Sequence, residues 1–210
     1  MTIIYHSVYN RCMKNENSSE TILNCALQLF SEKGYDGVGV NEIAEMAQVK
    51  KPTLYYFFGS KEGLFRELLQ SNYNRLNEAL AEVCCYQPHQ ERYNEDVYPV
   101  LLRIAMAYFD FAMRYPDFYL MSLALAFAPP TSQPAKIAEE YHKVQYGLVE
   151  KTFSDIASVH GNMRGKERAY AWRFMALINA QIGFWYRQYA TLNHEEAQSL
   201  VKQFMHGIYS

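Results

Sequence analysis

The sequence predicts an all-α protein, and two observations carry that expectation. Apolar residues recur at helical spacing in most segments lying between turn signals. No alternating strand pattern of useful length appears, and no internal repeat. At 210 residues, half of them hydrophobic, the chain is long enough for one large or two small domains with a buried core.

Residues 1–17 carry no clear periodicity, and Met13 opens M-K-N-E-N-S-S-E-T-I-L, a second plausible start. The segment therefore reads either as a flexible N-terminal arm or as the product of an upstream start codon. The first helix is expected at Ser19–Lys33, capped by Ser18 or Ser19 and stopped by Gly34. Ile22, Ala26, Leu29 and Phe30 form its apolar stripe, with Leu23 and Leu27 beside it. A short second helix comes next at Asn41–Ala47, turning Ile43, Ala44 and Ala47 inward. The third runs Lys51–Phe57, with Pro52 in the first turn, where a missing amide hydrogen costs nothing. Ser60 caps a fourth, whose Leu64, Leu68, Leu69 and Leu76 suggest a long connector toward Cys85.

Residues 86–96 are polar and loop-like. Val97–Tyr115 is apolar almost all round and should be a buried helix. Pro116, the Pro129-Pro130 pair and Pro134 punctuate the segment beyond it. Further helices are expected at Ala135–Val159, Lys166–Tyr189 and His194–Tyr209. The last carries Ala197, Leu200, Val201, Phe204 and Ile208 on one side.

Charge is nearly balanced, with 20 basic and 22 acidic side chains, but its distribution is not. Residues 46–61 hold Lys50, Lys51 and Lys61 and no acidic residue. A nucleic-acid surface needs positive charge only where phosphates lie, and a solvated turn is the plainer alternative. Cys12, Cys25, Cys84 and Cys85 lack C-x-x-C or zinc spacing, so reduced thiols are expected. The N-terminus lacks a secretory apolar core, and the apolar run Leu120–Ala128 is too short to span a bilayer. No membrane association is expected, and the location is expected to be cytoplasmic.

Residues 37–65 read G-V-G-V-N-E-I-A-E-M-A-Q-V-K-K-P-T-L-Y-Y-F-F-G-S-K-E-G-L-F. Two short helices joined by a tight turn are the pattern of a helix-turn-helix, one helix supporting while the next enters the major groove. With T-L-Y-Y-F-F-G-S-K following an I-A-x-x-A helix, residues 18–66 resemble the tetracycline-repressor-like (TetR) family of transcriptional regulators. The resemblance implies domains at 18–66, for DNA binding, and 67–210, a helical bundle for effector binding and dimerisation.

First-turn side chains of a recognition helix point at base edges, here Lys50, Lys51 and Thr53. Lysine can donate to guanine O6 and N7, and a threonine methyl can pack on thymine's methyl. Tyr55 and Tyr56 suit phosphate contacts, or alternatively core packing beside Leu54, Phe57 and Phe58. Lys61 matches the position that clamps a phosphate in the resembled family. The chain departs from the family at Gln48, where the turn usually has glycine, and at Gly39, where a hydroxyl residue usually caps the second helix. Lys50 replaces a small polar residue common at that point. These departures put any borrowed operator sequence in doubt.

The C-terminal half is rich in aromatic residues, which at helical spacing are more often core than pocket. Polar residues inside apolar helices are more informative, because burying them unpaired is costly. Arg103, Asp110, Arg114, Asn179 and Gln181 are such residues, with an Asp110–Arg114 ion pair the plain reading of the i,i+4 spacing. A pocket for a small, largely apolar effector is expected around Tyr108, Asp110, Phe111, Tyr146, Phe153, Trp172, Met175 and Asn179. The resemblance implies a homodimer through the last two helices, placing Phe184, Ala197, Leu200, Val201, Phe204 and Ile208 at its seam.

Catalysis is not expected. Glu139 and His142 form one Glu-x-x-His, but a di-iron bundle needs a second copy and further carboxylates. There is no G-x-S-x-G, no H-E-x-x-H and no Gly-rich phosphate loop, so neither metal nor cofactor is expected. The sequence thus points to a ligand-responsive repressor binding palindromic double-stranded DNA as a homodimer. A helical small-molecule-binding protein without DNA-binding activity is the alternative.

Overall fold

The computed structural model describes residues 18–89 and 95–207. Among the described residues there are nine α-helices and no strand. They are α1 (Ser18–Lys33), α2 (Val40–Met46), α3 (Lys51–Phe58), α4 (Lys61–Val83), α5 (Val97–Arg114), α6 (Pro116–Ala126), α7 (Gln133–Val159), α8 (Glu167–Tyr186) and α9 (His194–His206). None is long and apolar enough to cross a membrane. The chain divides into two compact units between Ser71 and Asn72, a point inside α4. The N-terminal arm at residues 1–17 and the seam candidate Ile208 lie outside the described residues.

In the first unit, α1 buries Ile22, Cys25, Ala26, Leu29 and Phe30. Ile43 and Ala44 of α2, Leu54 of α3, and Leu64, Phe65 and Leu68 of α4 complete the core. Phe30 meets the edge of Phe65 with centroids 5.4 Å apart, and Tyr35 joins the pair at 5.5 and 4.7 Å. Lys33, in the last turn of α1, pairs with Glu42 of α2 and ties the two helices together. Gly34 stops α1 at a φ of 72°, as its position suggests.

The turn between α2 and α3 is closed by two backbone bonds, Val49 N–H to the Ala44 carbonyl (2.9 Å) and Gln48 N–H to that of Glu45 (3.0 Å). That pattern places Gln48 in the left-handed region, at a φ of 54°. A side chain there costs about 1 kcal/mol, which accounts for the glycine usual at this turn in the resembled family. Gln48→Gly should therefore raise stability by about 0.5–1 kcal/mol, part of the relief being lost to a freer unfolded chain. Urea unfolding monitored by circular dichroism would test this, and an unchanged or lower midpoint would refute the strain.

The junction of α3 and α4 is tight. Ser60 caps α4, its Oγ accepting from the Gly63 N–H at 2.9 Å. A Cβ on Gly63 would lie 2.1 Å from the Phe58 carbonyl oxygen, so only glycine fits there without moving backbone.

In the second unit α7 packs on α8 and α6, and α5 packs on α9, α6 and α8. Helix α6 is an element that the spacing of apolar residues does not announce. Pro116 opens it rather than breaking it, occupying the first turn where no N–H is required. It ends at Phe127, ahead of the Pro129-Pro130 pair.

After α4 the chain is pinned by side chains. Thr152 donates to the Cys84 carbonyl (3.1 Å), and Arg103 to that of Cys85 (3.1 Å). Asp96 accepts from the Tyr86 hydroxyl (2.6 Å) and the His89 N–H (3.2 Å), and lies 3.0 Å from His160 Nε2. Burial pushes its carboxyl up, but the bonds from Tyr86 and His89 and the nearby His160 outweigh burial and leave it below the usual carboxylate value.

Helix α9 differs from the expectation in one respect. Its Ala197, Leu200 and Val201 are buried within the chain itself. Phe204 sits against Phe174 and Phe153, with centroids 5.0 and 6.0 Å away. An amphipathic helix covers the largest apolar surface within reach, and here α5 supplies it. Those seam candidates serve the chain's own core.

Candidate nucleic-acid interface and effector region

Helix α3 is eight residues long, and Leu54 is the only one of them buried. Lys50, its N-cap, and Lys51 are exposed, and Thr53 is half-buried. Tyr56 is 84 % exposed and Tyr55 40 %, so the hydroxyls stand outside the core rather than packing beside Leu54. An isolated protein gains nothing by holding two tyrosines and two lysines in water on so short a helix. Phe58, expected in the core, is half-buried, and Phe57 is exposed. Lys51 Nζ lies 5.8 Å from the Tyr55 ring centroid.

Lys61 is held more firmly, its Nζ 4.1 Å above the Tyr35 ring. Nothing in the sequence pattern singles out Tyr35. It is anchored between Phe30 and Phe65, so it serves as a platform that limits where the ammonium can point. Gly39 caps α2 through backbone alone, in extended conformation (φ −94°, ψ 151°) and without a side-chain bond. The positive groups near α3 are thus Lys50, Lys51 and Lys61, with no capping hydroxyl from position 39.

The expected effector residues do not all gather in one place. Tyr108, Phe111, Phe153 and Met175 are buried, Tyr146 and Asn179 are half-buried, and Asp110 and Trp172 are exposed. Arg103 and Arg114 are exposed as well. Trp172 is tied on the surface to Glu150 (Nε1 to Oε1, 2.6 Å) and lies under Arg168. Phe153 belongs to the trio with Phe174 and Phe204. Gln181 bonds within the chain to the Thr191 carbonyl and Glu196. Glu139 turns outward to Lys143 (2.9 Å) while His142, three residues on, turns inward.

What does gather is a polar aromatic cluster. Gln145 Nε2 donates to the Tyr108 hydroxyl at 3.0 Å, and the Tyr119 hydroxyl donates to Asn179 Oδ1 at 2.6 Å. His142 stacks on Tyr146 (5.6 Å) and meets Tyr73 edge-on (5.5 Å), and Tyr73 stacks on Tyr141 (5.6 Å). Burial pushes the phenols of Tyr73, Tyr108, Tyr119 and Tyr146 upward and the His142 imidazole downward, so all five rings are neutral near pH 7. In α4, Asn77 Oδ1 is buried without a hydrogen-bond partner, whereas Tyr73 Oη lies beside the Ser122 hydroxyl. Such an orphan costs on the order of 1–3 kcal/mol. Tyr73, Tyr119, His142 and Gln145 are not among the residues expected from sequence. The available signal was His142 and Gln145 at core-facing positions of an otherwise amphipathic helix.

The profile of bacterial regulatory proteins of the tetR family matches residues 22–68. The HTH-type negative transcriptional regulator IcaR of the biofilm operon icaADBC in Staphylococcus epidermidis is 31 % identical over 102 residues, covering 48 % of this chain and 51 % of that protein. Its Staphylococcus aureus counterpart (strain Newman) is 38 % identical over 61 residues, 29 % of this chain and 33 % of that one. The chain thus spans about half or less of the length of these curated relatives. The Bacillus subtilis regulator FadR, solved in complex with stearoyl-CoA, superimposes with a TM-score of 0.69 at 16 % identity over 90 % of this chain and 98 % of that one. The TetR family regulator PfmR from Thermus thermophilus gives 0.67 at 20 % identity over 90 % and 99 %. At such identities these likenesses establish the fold.

Proposed function

Because this chain belongs to the tetR family of bacterial regulatory proteins, we propose that it is a DNA-binding transcriptional repressor, acting as a homodimer and released by a small effector. The observation that carries the proposal is α3, which exposes Lys50, Lys51, Tyr55 and Tyr56 while spending only Leu54 on the core. Lys50, Lys51 and Thr53 read base edges in the major groove. Tyr55, Tyr56 and Lys61 hold phosphates and set the register. Effector binding shifts the population toward a form whose two recognition helices no longer match successive major grooves.

Selection of bound duplexes from a random library tests this. The expected product is a palindrome whose half-sites are centred about one helical turn apart, roughly 10 base pairs, or a multiple of it. Failure to enrich any sequence over a Lys50→Ala/Lys51→Ala double variant would sink the reading.

The seam of the dimer lies on the outer side of α8. Trp172, Leu177 and Phe184 are 48, 44 and 53 % exposed there, with Ala176 and Ala180 between them to let a partner helix approach. A groove of about 250 Å³ beside them is bordered by Leu177, Ala180 and Phe184 of α8 and by Ser199 and Gln203 of α9. Of the seam residues expected from sequence, Phe184 alone has a large exposed surface among the described ones. Phe184→Asp should weaken dimerisation by about 2 kcal/mol or more, at least tenfold, while leaving the fold intact. Sedimentation equilibrium reads this directly, and an unchanged dimer would move the seam elsewhere.

A further inference from the structure

We propose that Tyr35 is a positioning residue for DNA binding: its ring holds the Lys61 ammonium where it clamps a phosphate. The proposal rests on the reading of this chain as a DNA-binding repressor. It adds to that reading a side chain that sets affinity without contacting DNA.

The backbone at Tyr35 is fixed by its neighbours. Gly34 before it takes a φ of 72°, and the Val38 N–H closes a turn on the Tyr35 carbonyl (3.4 Å). A Cβ on Gly37 would lie 2.4 Å from the Lys33 carbonyl oxygen, so that turn has no room for a side chain at position 37. The ring is then seated between Phe30 of α1 and Phe65 of α4, with interplanar angles of 35° and 51°. Phe65 stands one turn along α4 from Lys61, so the helix that carries the ammonium also carries one wall of its platform.

Lys61 is half-buried, with its Nζ 4.1 Å from the Tyr35 ring centroid. Among the described residues no ion pair holds it, and the adjacent carboxylate, Glu62, bonds Arg66 at 2.9 Å. Burial, with Glu62 and Asp36 nearby, pushes the Tyr35 phenol upward, so Lys61 faces a neutral ring near pH 7. A ring face attracts an ammonium through its quadrupole and leaves N–H groups to donate to an incoming oxygen. Lys51 is the contrast, 5.8 Å from a Tyr55 ring that is itself 40 % exposed. A lysine free in water loses rotamer freedom when it clamps a phosphate. One already lodged on an anchored ring has less to lose, and the difference appears as affinity.

Ring variants of the full chain separate positioning from folding. Tyr35→Phe keeps an electron-rich ring, whereas pentafluorophenylalanine placed at position 35 keeps the shape and reverses the quadrupole. Affinity for the selected operator should stay within about twofold for Tyr35→Phe. With the fluorinated ring it should fall about threefold per half-site, roughly tenfold for the dimer, and equally on every single-base variant. The salt slope should not change, because Lys61 keeps its charge, whereas Lys61→Ala lowers it. In a Lys61→Ala background the fluorinated ring should cost nothing further. Equal affinity of the Tyr35→Phe and fluorinated proteins would overturn the inference. The same loss with and without Lys61 would also overturn it, leaving Tyr35 a structural residue. In the free protein the Tyr35 ring current should move the Lys61 ε-methylene resonances upfield, and Tyr35→Leu should return them. Operator binding that ignores the fluorinated ring, or an unshifted Lys61, sinks the role of Tyr35 alone. A parent that shows the upfield shift and binds no duplex sinks the repressor and the positioning role together.

Discussion

Phe204→Asp is expected to unfold the C-terminal unit rather than to part a dimer. The Phe204 ring lies against Phe153 and Phe174, both completely buried. Phe204 is itself half-buried, so its removal costs about 3 kcal/mol, the low end for a packed phenylalanine, through lost transfer energy and the cavity left behind. A carboxylate in its place adds the expense of a charge with no nearby cation in the trio, a further few kcal/mol. The sum rivals the whole stability of an ordinary domain, about 5–15 kcal/mol. Circular dichroism should show a lost or strongly lowered cooperative transition for Phe204→Asp and a small change for Phe204→Leu. A well-folded monomer of Phe204→Asp, melting like the parent, would return Phe204 to the seam.

Replacing Lys51 and Lys61 by alanine should weaken DNA binding in two distinguishable ways. Lys51 stands exposed in the first turn of α3, which the proposed reading sets against bases, and the Tyr55 ring lies near its ammonium. Its loss should cost on the order of 1–3 kcal/mol at one base position per half-site and relax preference there. Lys61 opens α4 over the fixed ring of Tyr35, and in the proposed reading it clamps a phosphate. Its loss should weaken all sequences about equally and lower the salt slope by roughly one phosphate per subunit. Salt-titrated binding to the selected operator and its single-base variants separates the outcomes. Equal losses on every variant for both mutants would make Lys51 another phosphate contact and leave base reading to Lys50 and Thr53.

Local signals with a single cause were legible in the sequence. Gly34 as a stop, Pro52 in a first turn and Ser60 as a cap each follow from one residue's own backbone or side-chain chemistry, whereas the strain at Gln48 followed from the resemblance, which has glycine there. Helix α6 was obscured because proline both breaks helices and begins them, and residues 116–134 offered four prolines without telling which. The roles of α9 and the aromatic clusters were illegible for a different reason. An apolar stripe states that something will cover it, not whether the cover is α5 or a second chain. Tyr73 and Asn77 could not be found from spacing, since what faces a buried polar group is a property of three-dimensional neighbours. Asp110 shows the converse, a polar residue in an apolar helix that simply faces water.

The contact between Gly63 and the Phe58 carbonyl has a consequence for how a chain like this diverges. At that junction a mutation of Gly63 or Leu54 is structural, because no side chain has room at position 63 and Leu54 is fully enclosed. A few residues away, Lys50, Lys51 and Tyr56 stand exposed and take no part in the buried core. After gene duplication, one copy can therefore rewrite its exposed α3 side chains and acquire a new target without passing through an unfolded ancestor. The frozen elbow is what makes the reading surface free to change.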